Sequence, residues 1–420
     1  MSDSVVRTPG DRSFRLLRIR GRDPGEEGRA ASALELIFDL TFAVSVGVAA
    51  DRFAEITAQG HLGSGVLGFV LAMFAILVGW INFSWFASAF DTDDWAYRLC
   101  TMIQMVGVVI LALGLPATFA SIETGEHVDI RLVVTGYVVM RAGMLLLWLR
   151  TARQAPGYRR VALRNALWLV VAQIGWVALA LVDLALVPTF VAILVLGTLE
   201  LFIPVLTQGR ADGTPWHPHH IAERYGAFAI ITLGEGVVGT VASSRGALAG
   251  GSLDPDAVMV IFAGIGLTFA LWWVYFLMPF GTLLEHRPRR GYLFGYGHIP
   301  VLLGIAGTGA GLHGAGLYLT GESHQGPVAV TAAVAVPVAL YLASVFALQD
   351  LFASLLDAFH LVLLGGTFAL LVAAVVASAL GVPVTACLFL VMLASFVPVV
   401  GYETIGHRRH AEMLRTLTTP

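Results

Sequence analysis

The residues able to do chemistry in this chain are acids, histidines and arginines set into apolar sequence. The richest stretch is 219–240, HHIAERYGAFAIITLGEGVVGT. It reads as a helix long enough to cross a bilayer, yet it carries His220, Glu223, Arg224 and Glu235. At about 100° per residue these four fall within one arc of roughly 120°. Charge inside hydrocarbon is costly unless it is paired or hydrated, so the arc is expected to look into the protein. Carboxylates, an imidazole and a guanidinium on one arc can hold a proton or a cation. They can equally lock helices together as an ion-pair network.

Other polar groups fall at membrane depth. Glu35 and Asp39 stand one helical turn apart in ALELIFDLTFAVSVGVAADRF, and Asp91, Asp93 and Asp94 form FDTDD. Arg141, Glu200 and His298 each interrupt a further apolar run. Of the acids Glu35, Asp39, Glu200, Glu223 and Glu235, only two can pair with the permanent cations Arg141 and Arg224. Burial disfavours the excess charge. The remaining carboxyls must be protonated, hydrated in a cavity, paired with His220 or His298 as imidazolium, or bound to a cation. FDTDD is either a solvated helix cap or a carboxylate site for a divalent ion. His298 is either a buried ring bonded to a carbonyl or a member of the site. The candidate solute- or ion-binding set is Glu35, Asp39, Asp91, His220, Glu223, Arg224, Glu235 and His298. Glu35 and Glu223 are both expected to face the interior.

The elements that must position these groups are membrane helices. Hydrophobic residues make up 57% of the 420 and charged residues 13%, and the mean hydropathy is +0.80. Soluble domains carry about 25% charged residues. Twelve runs are long enough to cross a hydrocarbon core about 30 Å thick. They cover 33–53, 62–90, 95–121, 131–150, 160–183, 186–207, 217–243, 256–280, 291–317, 327–349, 356–380 and 383–405. Asp183 is the main break between the fifth and sixth. All 25 basic residues are arginine, and 20 of them fall in the two tails and every second connection. The positive-inside rule then puts both termini in the cytoplasm, in a multi-pass protein of the inner (plasma) membrane.

Two blocks repeat. ELIFDLTFAVSV aligns with ERYGAFAIITLG when Glu35 is set on Glu223, an offset of 188 residues. INFSWFASAFDT aligns with LWWVYFLMPFGT at an offset of 190. A nearly constant offset marks a duplication, and six spans per half keep the repeats parallel. The expected fold is all-α and polytopic, with a tail at 1–31, halves at 32–208 and 219–405, a linker at 209–218 and a tail at 406–420. The first tail lacks the apolar core of a cleavable signal, and its SFRLLRIR segment is mildly amphipathic. Glycines 304, 307 and 311 read as close helix packing.

ELIFDLTFAVSV, FDTDD, HIAERYGAFAIITLGEGVVGT and GHIPVLLGI together resemble the bacterial low-temperature-requirement A (LtrA) family, over roughly residues 30–405. The resemblance implies that Glu35, Asp39, His220, Glu223, Arg224, Gly234 and Glu235 are motif residues. Ile37 and Tyr225 stand where the family usually has Phe. The family name implies a role in growth at low temperature and gives no substrate.

HExxH, GxSxG, Walker and dinucleotide motifs are absent from the sequence. Cys100 and Cys387 fall at opposite membrane faces, which leaves no disulfide. No catalytic residue, metal centre or cofactor is assigned. The expected partners are the lipid bilayer and a small solute or ion, with no nucleic acid, and the oligomeric state stays open. Protonatable carboxyls in a twelve-span protein suggest a proton- or cation-coupled carrier. The alternatives are an intramembrane enzyme with a Glu/Asp/His/Arg cavity and a membrane stress factor without turnover.

Overall fold

A computed structural model describes residues 16–26, 28–125, 127–207, 213–247, 255–353 and 358–406. Much of the expected linker and tails, at 1–15, 208–212 and 407–420, lies outside them. The helices run α1 (Ala33–Ala58), α2 (Leu62–Phe90), α3 (Trp95–Thr124), α4 (Arg131–Gln154), α5 (Arg159–Leu181), α6 (Leu186–Thr207) and α7 (Pro218–Ala247). They continue with α8 (Pro255–Phe276), the short α9 (Phe280–His286), α10 (Gly291–Leu319), α11 (Pro327–Ala353), α12 (Ala358–Ala379) and α13 (Val384–Gly401). Among the described residues there is no β-strand, only an isolated bridge between His127 and Ala185. Twelve of the described helices are long and apolar enough to cross a membrane. The protein is an all-α polytopic membrane protein.

The helix ends follow local chemistry. Ser32 and Glu35 form a capping box on α1: the Glu35 N–H donates to Ser32 Oγ at 3.2 Å and the Ser32 N–H to Glu35 Oε2 at 2.8 Å. Asp94 caps α3 by accepting the Tyr97 N–H, and Gly125, at φ 76°, ends that helix in the left-handed region. The eighth span is shorter than the expected 256–280. Pro279 has no N–H to donate and disfavours helix at the residue before it, so α8 stops at Phe276 and α9 starts afresh.

By backbone proximity the chain forms two compact units. The first holds Met1–Ser45 and Ala75–Ile221, the second Val46–Phe74 and Ala222–Pro420. In the first, α3 and α4 cross at Gly107 and Gly136. A Cβ at Gly107 would lie 2.3 Å from Met140 N, and one at Gly136 2.3 Å from Leu111 N, so only glycine permits the approach. Residues 16–22 of the amino-terminal segment form no regular element and are tied to the protein. The Leu17 N–H donates to Asp94 Oδ2 at 3.0 Å, the Ile19 N–H to Gln154 Oε1 at 2.9 Å and the Arg22 N–H to the Ala89 carbonyl at 3.0 Å. Ile19 is fully buried, so an apolar anchor joins the three backbone donors.

In the second unit the glycine-rich face of α10 packs on α11. A Cβ at Gly311 would meet the Ala333 carbonyl at 2.3 Å, and one at Gly304 would meet Tyr341 N at 2.8 Å. The close packing read from glycines 304, 307 and 311 is therefore realised.

Candidate functional site

The first unit holds a buried acid and histidine group where α1 and α7 begin. Glu35, Asp39 and His220 are all buried. His220 Nε2 lies 3.3 Å from Glu35 Oε2, the oxygen that also caps α1. The Asp39 carboxylate accepts the indole N–H of Trp80 at 2.7 Å. His217 orients His220: its Nδ1 accepts the His220 N–H at 3.2 Å, so its Nε2–H is left to donate to the Glu26 carbonyl at 2.8 Å. A neutral His217 ring satisfies both contacts. Arg29 covers the end of α2 by donating to the carbonyls of Ala87 and Ser88.

The three acids of FDTDD have separate tasks. Asp93 takes the Arg98 guanidinium in a two-pronged pair at 2.8 and 2.9 Å. Asp94, fully buried, pairs with Arg150. Burial pushes its carboxyl up, but hydrogen bonds from Arg150 and the backbone of Tyr97 and Leu17 hold it below the usual range. Asp91 accepts the Asp93 N–H at 2.8 Å and has Arg22 only at 3.9 Å. Burial first, then the charge of Glu35, pushes its carboxyl up to about 6. Among the described residues no group of three His, Cys, Asp or Glu is placed to hold a metal ion. Asp91 thus belongs electrostatically with Glu35, while its two neighbours are held by arginines.

Glu235 belongs to the second unit. Its Oε1 would lie 2.9 Å from a Cβ at Gly47 of α1, and its own Cβ 2.7 Å from one at Gly309 of α10. The two glycines make room for a carboxyl between helices. One turn beyond each of them stand Asp51 and His313, whose Oδ1 and Nδ1 are 3.0 Å apart. These are the two charged groups that act on Glu235.

The arc on α7 does not lie wholly inward. Arg224, His220, Tyr225 and Phe228 are buried, but Glu223 is exposed. It shares its face with Ile230 and Val237, seven and fourteen residues on, which are also exposed. The arc is as wide as expected, but the buried face is centred on the Arg224–Phe228 side, and Glu223 falls beyond its edge. Interior placement therefore holds for Glu35 and fails for Glu223.

His298 is fully buried in an aromatic box of Tyr225, Tyr275, Phe280 and Phe294. Its Nδ1 lies 2.8 Å from the Phe294 carbonyl, so that nitrogen carries the proton, and its Nε2 faces Tyr275 Oη at 3.2 Å. Both ring nitrogens are thus used by the protein.

Two further polar groups stand apart from these residues. Glu200 of α6 receives Arg141 Nη2 at 3.0 Å and the Tyr137 hydroxyl on one oxygen, and Trp176 Nε1 at 3.1 Å and Gln173 Nε2 at 3.4 Å on the other. The Arg141 guanidinium also sits 4.7 Å from the Tyr137 ring centre. In the second unit His360 bridges Asp350 and Tyr402, at 2.5 Å to each, and the Tyr402 hydroxyl reaches Gln349 Oε1 at 2.9 Å.

The helices that carry these groups bear the motifs read in the sequence, with ELIFDLTFAVSV on α1 and HIAERYGAFAIITLGE on α7. The family described as bacterial low temperature requirement A protein (LtrA) matches residues 30–395. The chain belongs to the LtrA family. An uncharacterized protein of Rhizobium meliloti (strain 1021) is similar to this LtrA chain, 25% identical over 295 residues that cover 67% of this chain and 68% of that one. No solved structure matches the chain.

The motifs read in the sequence contain Glu35, Asp39, His220, Glu223, Arg224, Gly234 and Glu235 but not Asp51, His313, Trp80 or the His360 group. Asp51 directly precedes Arg52 near the end of the first apolar run and reads as a loop acid. His313 lies between glycines in GAGLHGAG, where packing masks its polarity. The signal for both was their position near the carboxy-terminal ends of two parallel spans, the first and the ninth.

Proposed function

We propose that this LtrA-family protein is a proton- or cation-coupled carrier of a small solute or ion in the inner (plasma) membrane, with both termini in the cytoplasm. The observation that carries this reading is the seat of Glu235. A carboxyl at membrane depth, given room by Gly47 and Gly309 and adjoined by the Asp51–His313 pair, can exchange a proton with its neighbours. Permanent charge at that depth is costly, and an acid next to an imidazole avoids it by protonation. Glu35 with His220 supplies a second acid–imidazole pair, on the motif helices α1 and α7. α1 thus carries Glu35 near its start and Asp51 toward its end, and α7 carries His220 in its first turn and Glu235 past its middle. The reading takes the two sets of six spans as parallel repeats.

Purified protein in liposomes, with an imposed pH gradient and a panel of small solutes and ions, tests this. Accumulation that collapses with the gradient supports the carrier. Failure of every solute to move, or chemical conversion of a solute in detergent without movement, overturns it; the latter outcome is that of an intramembrane enzyme. Growth of a deletion strain at low temperature tests the role suggested by the family name.

A further inference from the structure

Residues 130–182, which hold α4, α5 and their connection, contain seven arginines and no Asp or Glu. Three of the seven find acids elsewhere in the chain: Arg131 with Asp183, Arg141 with Glu200 and Arg150 with Asp94. The other four are Arg153, Arg159, Arg160 and Arg164. They fall in the last turn of α4 and the first two turns of α5, and all four are exposed. None of them pairs with an acid among the described residues. Arg18 of the amino-terminal segment brings a further guanidinium to the same place, since its Nε donates to the Gln154 carbonyl at 2.8 Å.

From these cations onward α5 shows an exposed apolar stripe. Leu163, Leu167, Val170, Ile174, Val177 and Leu181 follow one another at steps of three and four residues. The far part of the stripe borders a cavity of about 470 Å³, bounded by Val138, Ala142 and Leu145 on α4 and by residues from Leu169 to Leu181 on α5. Its surface is almost wholly apolar, and Arg141 and Gln173 spend their donors on Glu200. Ile174 and Leu181 are 64% and 78% exposed, so the cavity opens to lipid. Leu169 to Leu181 covers about 18 Å at 1.5 Å per residue. One leaflet of a hydrocarbon core about 30 Å thick is about 15 Å deep. A single acyl chain lying along the helices therefore matches the cavity in length. Arg164 precedes Leu169 by five residues, about 8 Å along the helix. That is the depth of a headgroup layer, roughly 5–8 Å on each side of the core. Guanidinium groups match phosphate oxygens in geometry as well as charge. A neutral lipid would leave these cations without a counter-charge, and a soluble anion would leave the cavity without an occupant.

We propose that α4 and α5 hold one anionic phospholipid, with its phosphate among Arg153, Arg159, Arg160 and Arg164 and one acyl chain in the cavity. This site is separate from the carboxyls of the carrier reading and does not depend on it.

The full-length protein is placed in phosphatidylcholine nanodiscs with a small fraction of phosphatidylglycerol carrying a diazirine on one acyl chain, or of the matching phosphatidylcholine. After irradiation the label in 138–145 and 169–181 is read by mass spectrometry, with the exposed face of α12, at Leu361 and Val362, as reference. The expected result is cavity label on the order of tenfold higher from the anionic probe, and equal label on the reference. Arg159→Gln, Arg160→Gln and Arg164→Gln together bring the anionic probe down to the level of the neutral one. Ala178→Phe narrows the cavity, leaves the arginines in place and does the same. An excess of inorganic phosphate, set against chloride at equal ionic strength, leaves the preference standing. Equal labelling by the two probes overturns the proposal, as does a preference that survives the arginine variant. A preference unchanged in Ala178→Phe overturns it too, leaving a charged patch whose lipids keep their chains outside the cavity. Loss of the preference to phosphate alone would make a soluble anion the ligand. Should the arginine variant fail to insert, the two probes and Ala178→Phe still decide.

Discussion

His220 Nε2 stands 3.3 Å from Glu35 Oε2, so the first turn of α7 meets the first turn of α1 through one carboxylate. The same oxygen accepts the Ser32 N–H and closes the capping box. Glu35 thus has two roles that substitution can separate. Glu35→Gln preserves the box, since glutamine also serves there, but removes the charge facing His220. Glu35→Ala removes both. The alanine variant is expected to unfold in detergent with a further loss of about 0.5–2 kcal/mol relative to glutamine, the usual worth of a cap. Both variants are expected to lose coupled uptake. Wild-type uptake by Glu35→Gln would confine the residue to helix capping.

Asp91 predicts a pH dependence of stability. Its folded-state value of about 6 lies above the unfolded 3.8. The folded protein therefore holds this proton more tightly, and the contribution is complete below pH 3.8 and disappears as pH rises through about 6. Asp91→Asn keeps an oxygen for the Asp93 N–H and never ionises. It is expected to stabilise the protein at pH 7 by about 2–3 kcal/mol, at about 1.4 kcal/mol per pKa unit, and to change little at pH 4. Thermal unfolding in detergent at the two pH values measures it. An equal effect at both would place the cause in packing rather than in ionisation.

The Arg150–Asp94 pair holds the amino-terminal strap as well as α3, because Arg150 also donates to the Leu17 carbonyl. Arg150→Met leaves Asp94 buried without that partner. Loss of one member of a buried pair costs about 3–5 kcal/mol. Asp94 is held below its ordinary range against the push of burial, so its contribution is present above the unfolded value and is lost as pH falls below it. Arg150→Met is expected to weaken this acid-side loss and to expose residues 16–22 to protease. A strap as resistant as wild type would show that Ile19 alone anchors it.

Much of the fold was legible because a bilayer admits few alternatives. Backbone groups in hydrocarbon must be satisfied within the segment, so a long apolar run has to be a helix. Asp183 and the turn-forming connections then placed breaks that agree with the structure, while Pro279 broke the run 256–280 in its aromatic-rich end, where no charged side chain marks a stop. The site was less legible. Burial of Glu35 and Arg224 followed from the cost of charge, but that cost names no face. Glu223 lies on the same arc as Arg224 and is exposed, because the packing of Tyr225 and Phe228 sets where the buried side of α7 is centred. The partnership of Asp51 with His313 joins residues 262 apart in sequence, and nothing local to either residue announces it.

Glu235 carries the mechanistic prediction. Its carboxyl sits where Gly47 and Gly309 leave space, and the Asp51–His313 pair lies one turn farther along α1 and α10. If the coupling proton resides on Glu235, Glu235→Gln fixes the shape of the protonated form and removes the exchange. Folding yield and thermal stability are expected to stay near wild type, because glutamine fits the same space. Uptake driven by a pH gradient is expected to vanish while solute exchange without a gradient persists. His313→Gln tests the neighbour: it leaves Glu235 ionisable but removes the imidazole next to it, so uptake is expected to continue with a shifted pH profile. Gly47→Ala tests the space, since the added Cβ would crowd Glu235 Oε1 at 2.9 Å and is expected to reduce uptake without changing the charges. Liposome uptake measured between pH 5 and 8 distinguishes the three variants. A Glu235→Gln protein that accumulates solute with the wild-type response to pH would remove this carboxyl from the coupling path, whatever the other two variants do.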